Sequence, residues 1–120
     1  MIRGFLLDEH LPVWWRPTIF RLQPHLRLFR VGDAGAPPLR SSDSVVLEWC
    51  ASHQFAFITN NRRTIPFHLA ALTAQGRHVP GVFISRASLS IEVVAENLDL
   101  LAGASLPDEF QDQIRYLPIV

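Results

Sequence analysis

The chain has 120 residues, 48% hydrophobic and 18% charged, with 11 basic side chains against 11 acidic ones and no formal net charge. That size and composition predict one globular domain with its own core and exclude a disordered chain; the neutral balance announces neither a nucleic acid nor a membrane partner. A single cysteine, Cys50, excludes a disulfide framework and a Cys-based zinc site. With no signal-peptide pattern and no apolar run near the ~18 residues of a membrane span, a soluble cytoplasmic protein is expected.

Residues 3–7 read as a first strand, in which Phe5-Leu6-Leu7 is a short buried run that stops at Asp8, Glu9 and, soon after, Pro12. Residues 12–23 carry Trp15, Ile19 and Leu22 at helical spacing, and Pro17 means that this helix is either kinked or begins nearer Arg16. Trp14 and Trp15 stand ~100° apart on a helix, so they cannot share one core: one is a partly buried packing residue or lies at a subunit contact. Residues 26–31 alternate and predict a second strand. The Gly-, Pro- and Ser-rich loop 32–42 opens a helix near residue 43, with Ser41 or Ser42 as N-cap and Val46, Trp49, Cys50 and His53 on its inner face.

Residues 55–59 form the third strand. A third helix is predicted over 65–75, with Thr64 as cap and Gly76 as its stop. Strand four follows at 80–84. The fourth helix is the clearest, with Ile91, Val94, Ala95, Leu98, Leu101 and Ala102 on one face, Glu92, Glu96 and Asp99 on the other, and Gly103 at its end. A last short strand is expected near 115–117, confined by Pro118 to an edge or an end. Strands alternate with helices throughout, which predicts an α/β domain over 1–120 with a mostly parallel sheet covered on both sides: a three-layer α/β/α fold.

In open α/β sheets ligands bind beyond the carboxyl ends of the strands. Asp8 and Glu9 follow strand one there, Asn60, Asn61, Arg62 and Arg63 follow strand three, and Asp43 sits in the first turn of helix two. Asp8, Asp43 and Asn61 therefore have the chance to converge from three segments. Carboxylates with an amide oxygen make a hard site suited to Mg²⁺ or Mn²⁺, and the two arginines suit phosphate. Each residue also has a plainer role: Asp43 favours the helix dipole, Asn60-Asn61 suits a turn and Glu9 suits solvent. Asp8 resists this, because an acid abutting a buried strand must be solvated, paired or metal-bound.

Charge is uneven along the chain: residues 1–86 hold ten arginines and five acids, and residues 87–120 one arginine and six acids. This is a basic working surface with an acidic tail, or simply two solvated faces. The five histidines show no tight metal spacing, and neither a Gly-x-Ser-x-Gly elbow nor a glycine-rich phosphate loop occurs.

The ordered set Leu6-Leu7-Asp8-Glu9-His10-Leu11-Pro12, Val31-Gly32-Asp33-Ala34-Gly35, Asp43 at a helix start, and Phe57-Ile58-Thr59-Asn60-Asn61-Arg62-Arg63 resembles the small PIN-like domain proteins. More narrowly it resembles the short toxin-type branch that opens with an LLDE-x-LP motif, and the segment Gly76–Val82 is similar as well. The resemblance spans roughly residues 5–85. It implies a three-layer α/β fold and, for active members, a Mg²⁺-dependent ribonuclease, often the toxin half of a pair restrained by a small antitoxin. Carried over by position, Asp8 is the strand-one metal ligand and Asp43 the helix acid, while Asn61 and Arg63 stand where the family's T-x-D-x-D-F segment has aspartates.

That departure has a physical consequence. At ~5 Å and an effective dielectric of ~20, the charge of Arg63 repels a divalent ion by at most about 6–7 kcal/mol. Two expectations follow. In the first, one Mg²⁺ or Mn²⁺ is held by Asp8 and Asp43, with Glu9 or Asn61, for RNA cleavage, and Arg62 or Arg63 steadies the phosphate. In the second, a degenerate module with no metal binds RNA or a protein partner, an antitoxin or a second copy in a homodimer, without cutting.

Overall fold

A computed structural model describes residues 1–86 and 88–119. Five strands and four helices alternate in it: β1 Gly4–Leu7, α1 Trp15–Leu22, β2 Leu28–Arg30, α2 Asp43–His53, β3 Phe55–Thr59, α3 Ile65–Ala74, β4 Val82–Ile84, α4 Ile91–Ala104 and β5 Ile114–Tyr116. The strands form one sheet in the order β2-β1-β3-β4-β5, and every pairing is parallel. The expected "mostly parallel" sheet is thus wholly parallel, with β5 at an edge. No helix among the described residues is long and apolar enough to cross a membrane.

The period-2 geometry of a strand sorts side chains onto two faces. Phe5, Leu7, Ala56, Ile58 and Phe83 join the core beneath α1 and α4, together with Trp15, Ile19, Val94 and Leu98. Leu6, Phe57, Val82 and Ile84 join the core beneath α2 and α3, with Val46, Leu47, Cys50, Ile65 and Leu69. These central strands are buried on both sides, which is why they read as unbroken apolar runs. At Gly4 a side chain has no room: an added Cβ would lie 2.7 Å from both the Arg27 carbonyl oxygen and the Phe55 ring.

Local signals set the helix limits. Helix α1 starts at Trp15, which leaves Trp14 exposed at 55% and Trp15 buried at 5%. Ser42 caps α2 by accepting the Val45 amide, so of the two candidate serines it is the cap. The inner face of α2 is Val46, Leu47, Cys50 and Ala51. His53 was expected to pack inward; it lies exposed and stacks on Trp49 at 4.1 Å between ring centroids. Helix α4 continues through Gly103 to Ala104, one residue past the expected stop, and Ala102 is exposed. The segment after β5 is pinned by buried Asn97, whose Oδ1 accepts the Ile119 amide at 2.8 Å.

Candidate active site at the sheet switch point

In the order 2-1-3-4-5 the chain leaves β1 toward one edge and β3 toward the other. The crevice between the carboxyl ends of β1 and β3 is therefore the topological switch point, the place where open parallel sheets bind ligands. Asp8 and Asn60 are the first residues beyond those two ends. The Asp8 amide donates to the Ile58 carbonyl at 2.9 Å, so the ladder holds the backbone up to the acid itself.

Thr59 organises this crevice. It is 1% exposed, and alternation turns it to the α2/α3 side. Its Oγ1 donates to Asp8 Oδ2 at 2.7 Å and accepts the Asn61 amide at 3.2 Å. The Asn61 side-chain Oδ1 accepts the Arg63 amide at 2.9 Å, closing an Asx turn. At the far end of the same loop, Thr64 Oγ1 donates to Asp43 Oδ2. Thr64 was expected to cap α3 with its side chain; it occupies the N-cap position but makes no side-chain cap bond, because its backbone is helical rather than extended (φ −106°, ψ −6°), and its hydroxyl donates to the carboxylate instead.

The two carboxylates thus hang on the two threonines that bracket loop 59–64. Each is half-buried, and neither forms an ion pair with a described residue. Each has one oxygen fixed by a hydroxyl, and the other makes no side-chain hydrogen bond among the described residues. Such a carboxylate retains a free lone-pair face and an uncompensated charge, which suits a cation.

The remaining expected residues separate. Glu9 Oε1 accepts the Arg40 amide at 2.7 Å, and the Glu9 carbonyl accepts from Arg30 Nη2 at 2.6 Å. Glu9 is therefore the clasp that holds loop 32–42 against the end of β1. The expected gathering of Asp8, Glu9 and Asp43 into one set of ligands is not made: among the described residues no three His, Cys, Asp or Glu side chains are placed to hold an ion together. Arg62 and Arg63 are exposed on the loop surface. Asn60 lies on the other side of the sheet edge, in a cleft between the β1–α1 segment and the start of α4.

Sequence reasoning named the acids and missed what holds them. The available signal was Thr59, a polar residue ending an otherwise apolar five-residue strand, paired with Thr64 just before α3. Arg16 and Asp33 were also missed: Arg16 Nε lies 2.6 Å from Asp33 Oδ2, and that carboxylate accepts the Arg30 amide at 2.8 Å, fixing the loop after β2. Cys50 is completely buried, and burial pushes its thiol pKa up, which favours the protonated thiol over the reactive thiolate. Comparison with protein-family models, with curated proteins and with solved structures finds no match to this chain.

Proposed function

We propose that the chain is a PIN-like module acting on RNA at the carboxyl edge of its sheet, a Mg²⁺- or Mn²⁺-dependent ribonuclease that uses Asp8 and Asp43. The observation that carries this reading is the paired arrangement of Thr59 with Asp8 and Thr64 with Asp43. Two carboxylates without cationic partners among the described residues are each held by one oxygen, Asp8 at the switch point and Asp43 at the far end of the loop that leaves it. Hydroxyl bonds of this kind orient metal-ligating carboxylates.

The donor types suit a hard cation: Asp8 and Asp43 would each offer a carboxylate oxygen, with neutral oxygens of this loop and water completing the shell. When bound, the ion would supply a nucleophile from water at neutral pH and neutralise phosphate charge. The rest belongs to the protein. Asp8 and Asp43 hold the negative charge of the site in fixed orientation, Thr59 and Thr64 restrain them, and Arg62 and Arg63 attract the phosphate backbone. Glu9 keeps loop 32–42 closed, which keeps the approach to Asp43 in place.

The test is cleavage of a labelled single-stranded RNA with Mg²⁺ or Mn²⁺. The expected result is 5′-phosphate and 3′-hydroxyl ends, lost in EDTA and reduced at least 100-fold by Asp8→Asn or Asp43→Asn. Cleavage that survives EDTA or both substitutions overturns the assignment. A second reading, RNA binding without cleavage, is favoured by one observation: Asn61 uses its side-chain oxygen in a turn and Arg63 brings a positive charge to the same loop. Tight RNA binding without cleavage, unaffected by Asp8→Asn, selects it. The exposed Trp14 and Phe67 offer apolar surface for an antitoxin or for a second copy in a homodimer.

A further inference from the structure

Helix α1 is apolar on two sides. Trp15 and Ile19 face the sheet, while Val13, in the turn that leads into the helix, Pro17 and Phe20 recur at i, i+4 and i+7 on the outward side. Val13 is 71% exposed and Phe20 53%. A surface helix needs one apolar face for its own core, and a second one left in water marks a surface for a partner. The neighbouring α4 turns Glu92, Glu96 and Leu100 outward at i, i+4 and i+8, with Leu100 51% exposed. Past Leu100 an apolar groove of about 200 Å³ beside Ala104, Phe110 and Ile119 extends this surface.

Charge is divided between the two helices. From residue 10 to residue 32 the chain holds four arginines and no acid; from residue 87 to residue 114 it holds six acids and no basic side chain. Arg21 on α1 and Glu92 and Glu96 on α4 are exposed, and none of them forms an ion pair with a described residue. The helices lie side by side: His25, just past α1, bonds Asp99 of α4 at 2.6 Å, and at the other end Trp14 and Trp15 share a cleft with Ser90 and Ile91. Each helix crosses between two parallel strands, so both run in the same direction. One helical layer thus presents a basic half and an acidic half, level with each other.

We propose that this layer is the interface of a homodimer in which α1 of each copy packs on α4 of the other. A two-fold axis running along the helices produces that contact. It preserves helix direction, sets the basic half of each layer on the acidic half of its partner, and keeps level what is level within one chain. Arg21 lies six residues past Trp15 and Glu96 five past Ile91, so Arg21 meets Glu96 of the partner subunit, and Phe20 packs toward Leu100 of the partner subunit. The alternative axis, across the helices, sets α1 on α1 and α4 on α4, like charge on like charge. A foreign chain must supply the same two-signed pattern; a second copy carries it already, which is what a two-fold contact requires. In this dimer the carboxyl edges of both sheets face the same way. The loops that carry Asp8 and Asp43 lie toward α2 and α3 and stay open, so the contact is independent of the cleavage reading.

The test is sedimentation equilibrium of the full chain in EDTA and without RNA, over a range of concentrations. The expected result is twice the chain mass, with a dissociation constant at or below about 100 µM that rises with salt. Phe20→Asp restores the monomer. Arg21→Glu and Glu96→Arg each weaken the dimer at least 10-fold, and the two together recover most of the loss, because the exchanged charges meet again across the axis. All three positions are exposed, and circular dichroism checks that each variant is folded. A wild type that keeps the monomer mass throughout overturns the second copy as occupant and leaves the face to a foreign chain. A dimer unaffected by Phe20→Asp, or one that the double exchange fails to restore, overturns the packing of α1 on α4. With neither metal nor RNA present, none of these outcomes depends on the cleavage assay.

Discussion

Replacing Thr59 by Val keeps the shape and strand preference of the residue and removes only its hydroxyl. Two hydrogen bonds go with it, one donated to Asp8 Oδ2 at 2.7 Å and one accepted from the Asn61 amide at 3.2 Å. A bond to a charged group contributes about 1.5–3 kcal/mol, and the part-buried Asn61 amide, in a residue exposed overall, recovers part of its loss from water. A buried methyl in place of a hydroxyl returns up to about 0.8 kcal/mol. The net expectation is a loss of about 1–3 kcal/mol. With an unfolding entropy of about 2.1 cal/mol/K per residue, a chain of 120 residues then melts roughly 4–12 °C lower. Thermal and urea unfolding of the wild type, Thr59→Val, Asp8→Ala and the double variant close a cycle whose coupling isolates the hydroxyl–carboxylate contact. The expected coupling is about 1.5 kcal/mol or more, and Thr59→Ser should retain most of it. A coupling below about 0.5 kcal/mol, the limit of additivity for unconnected sites, would refute the claim that Thr59 holds Asp8.

Gly4→Ala drives a Cβ to 2.7 Å from a carbonyl oxygen and from the Phe55 ring, so β1 must shift; a loss of about 1–3 kcal/mol in urea unfolding is expected, and near-wild-type stability would show that the strand is looser than described. Cys50 should resist thiol reagents in the native protein and react once the chain unfolds, since burial favours the protonated thiol. Its folded pKa lies above the unfolded value of ~8.5, so the unfolded state releases its proton first; this contribution to stability is complete below pH ~8.5 and falls by up to about 1.4 kcal/mol per pH unit above it, an alkaline slope that Cys50→Ala should remove. If Arg62 and Arg63 each contact an RNA phosphate, replacing both by Ala reduces the salt dependence of binding to single-stranded RNA by about 1.4 in log–log slope. An unchanged slope places the phosphates elsewhere.

The layers and the parallel sheet were legible because short doubly buried strands and amphipathic helices leave distinct periodicities. The apolar runs at 5–7 and 55–58, each ending in polar residues, marked both sides of the switch point before any coordinates. The capping serine of α2 and the buried stripe of α4 were equally local in origin. Where the reading strayed, a tertiary partner had outbid a local preference. Thr64 enters α3 with a helical backbone and turns its hydroxyl to Asp43 instead of capping, and His53 left the expected inner face to stack on Trp49.

The sequence by itself determined which residues stand at the carboxyl edge, since strand ends follow from hydrophobic pattern and turn chemistry. It did not determine which side of the edge each one serves. That depends on pairing register and alternation, where one residue of slip exchanges the faces. Only the folded chain turned Asp8 and Thr59 toward α2 and α3 while Asn60 and Ser85 line the opposite cleft. Only the fold, likewise, committed Glu9 to the Arg40 amide 31 residues away, because a contact across that span depends on where two loops meet and leaves no local pattern.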